Sequence, residues 1–442
     1  MKSFDSFGVC IPEILLPKHI NLASWSVIAC DQYTQDRDYW KNAAEAAGDN
    51  PSTLNLIFPE VYLSDDNREE RIAAIKKTMR QYLDRGVFAA GKRGFIYIER
   101  TTAYGRTRKG LVLAVDLEKY EWKPFSKALI RATEATVPER IPPRMKIRMG
   151  APLELPHIML LADDEADALV GKTGALAKKQ APLYDGDLQQ QSGHITGWLV
   201  DSDEAYAQVD EALAVIAKKG TAADGSTFLF AVGDGNHSLA TAKAVWEEHK
   251  KTLLSQGATE ASLAESPVRY ALVEVVNIYD AGLTFEPIHR VLFGSDAASL
   301  TAAVAETLHG TLSACADAAA LEKAVADKAA SGARYGFIAT KDGKTSYTLL
   351  QTAISDLAIA ALQPALDAYL AQHAGIEIDY IHGTAETVAL GEKEGQVGIL
   401  LPPIAKDSFF ATINARGPLP RKSFSMGEAS EKRFYVEARK LF

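Results

Sequence analysis

The sequence predicts an α/β protein (α+β in the looser sense) with mixed sheets and flanking helices, and three observations predict it. Apolar runs of strand length, such as Phe228-Leu229-Phe230-Ala231-Val232, alternate with stretches of helical period. Two helices carry clear stop signals: Ile72, Ile75, Met79 and Leu83 recur before Gly86, and Val209, Leu213 and Ile216 recur before Gly220. Paired apolar runs joined by short polar loops read as antiparallel hairpins.

Taken in order, residues 26–30 (Ser-Val-Ile-Ala-Cys) read as a buried strand ending at Asp31. A helix follows over about 68–85, with Asp66 and Glu69 as its capping box. Residues 95–98 and 111–115 form a hairpin across a basic, glycine-containing loop. Between 131 and 148, Pro138, Pro142 and Pro143 interrupt any continuous helix and predict a stiff loop. A helix spans about 203–219. The strand at 228–232 then runs straight into Gly233-Asp234-Gly235-Asn236-His237-Ser238 and a helix from Leu239 to about Lys250. Residues 270–276 give another strand. Leu300, Val304, Leu308 and Leu312 keep a period that predicts two helices between Asp296 and Ala333, and Asp342-Gly343 closes a last hairpin. The expected regions are 1–125, 126–292 and 293–442. The last ends in a basic tail of seven cations against three glutamates over 416–440.

With 442 residues, 47% hydrophobic and 24% charged, the chain has material for two or three ordinary globular domains. A net charge of −9 argues against a general nucleic-acid binder. The three cysteines, Cys10, Cys30 and Cys315, form no CxxC pair, which fits a reducing compartment. No apolar run reaches spanning length and no apolar stretch follows a basic start, so a soluble, cytoplasmic protein without membrane association is expected.

Two constellations carry chemistry. A strand ending in Gly-Asp-Gly and feeding a helix gathers backbone N–H groups and the positive helix end, which suits phosphate. There Asp234 can hold a magnesium ion, Gly235, Asn236 and Ser238 can cradle phosphate, and His237 can serve as acid or base. The competing reading is an ordinary capped helix start with a satisfied histidine. The second constellation is 130–157, where Arg131, Arg144 and Arg148 can neutralise phosphate and Glu134 can orient or deprotonate a hydroxyl. Its alternative is a solvated basic loop. Cys30, Asp31, His157, His289 and His382 are further pocket candidates. GxxxxGK[ST], HExxH and GxSxG are all absent.

The run Phe230-Ala231-Val232-Gly233-Asp234-Gly235-Asn236-His237-Ser238-Leu239-Ala240-Thr241-Ala242 resembles the signature of the bacterial and archaeal family called domain of unknown function 1015. Cys30-Asp31-Gln32-Tyr33, Pro51–Leu54, the stretch 130–148, Glu154–His157, 285–290, 379–383 and 419–427 extend the likeness over nearly the whole chain. The wider family reads Asp-Gly-His-His-Arg at this turn, which is similar to the phosphate turn of the ParB/sulfiredoxin-like fold that includes free-serine kinases. Here Asn236 and Ser238 replace the first His and the Arg, and Thr133 stands where a His precedes Glu134. The lost arginine would need a replacement such as Arg144 or Arg148. Family members are encoded near serine-biosynthesis enzymes.

The resemblance therefore implies phosphoryl chemistry on a small hydroxylated metabolite, in its most concrete form a nucleotide- and Mg²⁺-dependent serine kinase-like reaction. Alternatives are a phosphoserine phosphatase and a non-catalytic nucleotide-binding regulator or scaffold.

Overall fold

The computed structural model describes residues 4–327, 329 and 331–442. The chain divides into two compact units: one runs to Leu283 and recovers Gly427–Phe442, and the other is Thr284–Met426. The expected cut at 125/126 thus falls inside the first unit, and the cut at 292/293 falls inside the strand Phe285–Phe293. The cause is long-range pairing, which joins strands from both sides of residue 125 in one sheet.

In the first unit that sheet has ten strands: β1 (Val9–Cys10), β2 (Phe95–Thr101), β3 (Thr107–Asp116), β4 (Tyr120–Glu121), β5 (Ile130–Ala132), β6 (Met159–Ala162), β7 (Tyr184–Asp187), β8 (His194–Val200), β9 (Phe230–Asp234) and β10 (Tyr270–Asn277). Their order is β7-β8-β2-β3-β10-β6-β9-β5-β4, with β1 beside β3. β9 is parallel to β5 and antiparallel to β6. The sheet is therefore mixed. Alternate residues of β3 enter different cores: Leu111, Leu113 and Val115 join one cluster, Val112 the other. Both faces are covered, so the strands read as near-unbroken apolar runs.

Four helices matter for the site: α1 (Arg68–Asp84), α2 (Ile141–Arg148), α3 (Asp203–Lys219) and α4 (Asn236–Ser255). α1 and α3 lie where the periodicity predicts them, although α1 starts from Asn67 with no side-chain cap. α2 overturns the expectation of a prolyl loop. Pro142 and Pro143 sit in its first turn, where a missing N–H leaves no hydrogen bond unmade and the fixed φ suits the helix. The segment 26–30 is buried but is no ladder strand. Its one bridge is Ile28 to Phe434, and its polar groups reach the returning C-terminus through Ser26 Oγ to the Tyr435 carbonyl, at 2.8 Å.

That return explains the basic tail. Glu274, fully buried, takes Arg108 at 3.2 Å and Arg433 at 2.5 Å, and Arg433 also takes Glu437 at 2.5 Å. Arg439 pairs with buried Glu154. Such pairs add little net stability, but removing one partner strands a buried charge and costs about 3–5 kcal/mol. Arg433 and Arg439 of the tail are interior counter-ions, while Arg416 and Arg421 stay exposed.

The second unit has a seven-stranded sheet: β11 (Phe285–Phe293), β12 (Thr311–Cys315), β13 (Arg334–Lys341), β14 (Lys344–Gln351), β15 (Glu377–His382), β16 (Gln396–Leu400) and β17 (Phe424–Met426). The order is β12-β14-β13-β16-β11-β15, with β17 on β11. Helices Ala297–Thr307 and Ala358–Gln372 cover it through Leu300, Val304, Ile359, Leu362 and Leu366. Asp342 and Gly343 take φ of 51° and 71°, the left-handed pair that a two-residue hairpin needs. The alanine-rich stretch holds the two expected helices, Ala297–Thr307 and Ala318–Val325, but the helical period ends at Leu308, and Leu312 lies on β12 between them, 41% exposed. No described helix is long and apolar enough to cross a membrane.

Candidate functional site

β9 ends in an irregularity. Its register against β6 slips between Val232 and Asp234, so Gly233 is the extra residue that re-aims the strand end. Gly235 follows at φ 81°, and a Cβ there would stand 3.2 Å from the Ile158 backbone. Only glycine meets both conditions cheaply. α4 starts at once, earlier than the sequence suggests, because its first turn is the polar Asn236-His237-Ser238 rather than the apolar run behind it. The first turn holds no acidic residue. Leu239 N–H returns to the Gly235 carbonyl, while the amides of Asn236 and Ser238 meet no protein acceptor among the described residues.

The side chains of this corner are held by named partners. Asp234 Oδ1 accepts from Gly235 N–H at 3.0 Å, and its Oδ2 lies 3.5 Å from Lys432 Nζ. Asn236 Oδ1 accepts from Thr133 N–H at 3.2 Å, and the Thr133 hydroxyl donates to the Val232 carbonyl at 2.5 Å. The end of β5 is thereby tied to the start of α4, with half-buried Glu134 next in the chain. His237 Nε2 accepts from Val137 N–H at 3.2 Å, so in a neutral ring the hydrogen sits on Nδ1. The helix start thus holds the 133–137 segment in place.

Ser238 opens a relay. Its Oγ lies 2.8 Å from His157 Nε2, His157 Nδ1 lies 2.9 Å from the Tyr435 hydroxyl, and that hydroxyl accepts from Cys30 N–H at 3.2 Å. Asp31 Oδ2 stands 4.0 Å from His157 Nε2. Burial pushes the Cys30 thiol and the Tyr435 hydroxyl well up from their ordinary values, which keeps both protonated and removes Cys30 as a thiolate nucleophile. Cys30, His157, Tyr435 and Ser238 border a cavity of about 140 Å³ that also touches α2.

The three expected arginines are not one cluster. Arg131 is buried, donates to the Ala128 carbonyl at 2.8 Å and lies over the Phe228 ring at 4.6 Å. Arg144 and Arg148 do reach the cavity, because α2 packs on α4. Each is already paired, Arg144 with Glu60 and Arg148 with Glu154, both at 2.5 Å. Burial raises the Glu60 carboxyl while Arg144 pulls it back, leaving it somewhat raised. His289 and His382 belong to the second unit, on neighbouring strands β11 and β15.

Sequence reading missed Glu60, Lys432 and Tyr435. For the last two a signal existed: Phe434, Val436 and Ala438 alternate with Arg433, Tyr435, Glu437 and Arg439, a period of two that marks an extended segment with one polar face. Glu60 offers no such cue. What the corner presents is a pair of unclaimed amides, a hydroxyl set by an imidazole, and a carboxylate beside a lysine. Of these, the amides and the hydroxyl are hydrogen-bond donors of the kind that suit an oxyanion.

A comparison with curated proteins finds no match. Among solved structures, a conserved hypothetical protein from Pyrococcus furiosus is similar at 11% identity and a TM-score of 0.35, covering 75% of this chain and 97% of that one. A free serine kinase in complex with AMP is similar at 12% identity and a TM-score of 0.34, covering 72% of this chain and 88% of that one. SbnI from Staphylococcus aureus, truncated at its C-terminus, gives 9% identity and a TM-score of 0.35 over 72% of this chain and 83% of that one. The family model described as a protein of unknown function, DUF1015, matches residues 14–369, well over half of the chain, and this protein belongs to that family.

Proposed function

We propose that the β9–α4 corner binds phosphate and that the protein transfers a phosphoryl group between a nucleotide and a small hydroxylated metabolite, in the manner of a kinase. The observation that carries this reading is the first turn of α4: unclaimed amides at Asn236 and Ser238, no acidic residue, and a cavity alongside. Fixed donors of this kind need no reorganisation as charge develops on a transferring phosphoryl group. The likeness of 230–242 to the family signature supports the same assignment, with the corner as the phosphate turn of a ParB/sulfiredoxin-like core.

Each residue then has a role. Asp234 would hold Mg²⁺, for which one carboxylate suffices when nucleotide phosphates supply the other oxygens. Lys432, 3.5 Å from that carboxylate, supplies a cation at the turn in place of the arginine the wider family carries at 238. Arg144 and Arg148 shape the cavity wall through their carboxylate partners, and Arg131 fixes β5 against Phe228. Glu134 is the carboxylate assigned to take the proton of the substrate hydroxyl. His237 holds the 133–137 segment that carries it.

The test is product formation. Protein, Mg²⁺, a nucleoside di- or triphosphate and a panel of small alcohols and hydroxy amino acids are incubated, and phosphorylated products are followed by phosphorus NMR. Omitting nucleotide separates transfer from hydrolysis of a phosphomonoester such as phosphoserine. Asp234→Asn should lower turnover by roughly 1,000-fold or more with an unchanged circular dichroism spectrum. Undiminished turnover in that variant removes Asp234 from the chemistry.

A further inference from the structure

We infer that the cavity beside Ser238 takes a small substrate with an apolar body of about six carbons and a single hydroxyl, or its phosphate ester, as head group, rather than a free amino acid. The inference rests on reading the corner as the substrate site, but not on the nucleotide or on the group transferred.

Size sets the first limit. The cavity measures about 140 Å³, and an engineered apolar cavity of about 150 Å³ accepts benzene. A space of that size suits the smaller reactant better than a whole nucleoside. The walls set the second limit. Leu56, Phe58, Met79, Ile147, Leu153 and Leu155 are apolar and come from four separate stretches of chain. A wall of that make-up favours ligands by the carbon surface it removes from water.

Charge sets the third limit. A free amino acid brings an ammonium and a carboxylate, and each needs a counter-charge when taken out of water. The ionic groups on the wall are paired with one another, Glu60 with Arg144 through Oε1 and Glu154 with Arg148. Glu60 Oε1 receives both Arg144 Nε at 2.8 Å and its terminal nitrogen at 2.5 Å, and a further Arg144 nitrogen donates to the Arg140 carbonyl at 2.8 Å. Glu154 takes Arg148, Arg439 and the Leu272 N–H, so it offers nothing to an ammonium. Arg148 Nε has no partner among the described residues, yet it is shut off from any accessible surface and is not presented to the cavity.

The polar end is narrow. The Thr241 hydroxyl gives its hydrogen to the His237 carbonyl at 2.7 Å, so the Ser238–His157 pair is the hydroxyl donor that meets a ligand. With the Tyr435 proton on His157 Nδ1, the imidazole hydrogen lies on Nε2 and points at Ser238, whose own hydrogen is then free to meet a ligand oxygen. One hydroxyl fits there. A zwitterion does not.

Titration calorimetry on the full chain, with benzyl alcohol, benzyl phosphate, L-serine and O-phospho-L-serine as probes, tests this. Each benzyl compound should bind at least tenfold tighter than its amino-acid counterpart. Ala151→Phe, which drives a ring into the cavity from buried Ala151, should weaken the benzyl compounds at least tenfold. Should that variant melt early, proton NMR on the wild-type chain decides instead: the probe's ring should show through-space contacts to the methyl groups of Met79 and Leu153. Benzyl binding without those contacts, or undiminished in a folded Ala151→Phe, overturns the inference. Serine binding in preference to benzyl alcohol overturns it while leaving the phosphoryl-transfer reading standing. No binding by any probe overturns both. Benzyl binding in the cavity with no phosphorylated product from any nucleotide supports the inference and ends the phosphoryl-transfer reading alone.

Discussion

The two units contain the same local device with opposite outcomes. In the first, β9 passes through Gly235 at φ 81° into α4. In the second, β15 passes through Gly383 at φ 98° into the helix Thr384–Gly391. Ser238 and Glu386 hold the same third position of their helices. At Gly383 the Glu386 carboxylate folds back over the turn, so close that a Cβ on Gly383 would stand 2.1 Å from its Oε2. The second corner therefore carries its own anion, which the helix end favours. The first turn of α4 has no acidic residue, a hydroxyl stands at its third position, and the carboxylate at that corner, Asp234, lies before the helix on the Gly235 N–H. Gly235 and Gly383 share a positive φ but differ in ψ, 29° against 133°, and the two helix starts differ further in the residue at the third position.

The largest expected contrast is pH sensitivity, and it lies in the closed corner. His289, on β11, accepts from Leu401 N–H through Nδ1 at 3.1 Å and faces the Thr384 hydroxyl through Nε2 at 3.2 Å. Burial, aided by Arg290 and His382, pushes its pKa down to about 4. Protonation would set a hydrogen on Nδ1 against the Leu401 donor. Because the folded value lies below the unfolded one, this stability is fully present above about pH 6.5 and is lost as pH falls toward 4. The full swing is about 3 kcal/mol. Denaturant unfolding of the chain from pH 7 to 4 should show it, and His289→Gln should flatten it. An equal slope in that variant would place the loss elsewhere.

Next comes Ser238→Glu, which copies the closure of the second corner onto the first. Phosphate-ester binding at β9–α4 should fall by about 100-fold, which corresponds to about 2.7 kcal/mol, because the introduced carboxylate occupies the helix end that the ligand needs. Stability should hold or rise slightly. Calorimetry with benzyl phosphate reads the first effect and thermal melting the second. Retained affinity would mean that ligands do not use this turn at all.

A smaller pair tests the glycines. Gly235→Ala forces a side chain to φ 81° and into the Ile158 backbone at 3.2 Å, with an expected loss of about 2 kcal/mol. Gly383→Ala meets only the flexible tip of Glu386 besides its backbone strain, so about 1 kcal/mol is expected. Chemical denaturation ranks them, and a reversed order would mean that Ile158 yields where Glu386 does not.

The comparison also marks what the sequence could disclose. The strand, the glycines and the polar first turn at 230–238 were all legible, because short-range pattern alone determines them. So was the mixed α/β class. Pro142 and Pro143 misled because a proline forbids a helix interior but suits a first turn, and only the position of the helix start distinguishes the two. Leu312 misled because its apolar spacing continues across Gly310 into β12. The state of the arginines was not legible for a different reason. The partners of Arg144, Arg148 and Arg439 lie 84, 6 and 285 residues away, and only folding brings the distant ones together. A basic stretch in sequence thus became neutral pairs, while Lys432, 198 residues from Asp234, became the cation at the turn.

The smallest effect bears most directly on whether a helix start is enough. Glu386→Ser gives the second corner the same third residue as the first. It removes a favourable charge at a helix N-terminus, so stability should drop by only about 0.5–1 kcal/mol. The opened turn should bind inorganic phosphate no better than on the order of millimolar, since it gains free amides while the imidazole there, His289, faces Thr384 at the first helical position rather than the third. Calorimetry with phosphate compares the two corners directly. If the opened corner matched the native one, the amides alone would account for recognition at β9–α4, and Lys432, His157 and Tyr435 would have no part in it. If it stays weak, recognition belongs to the whole assembly around Ser238.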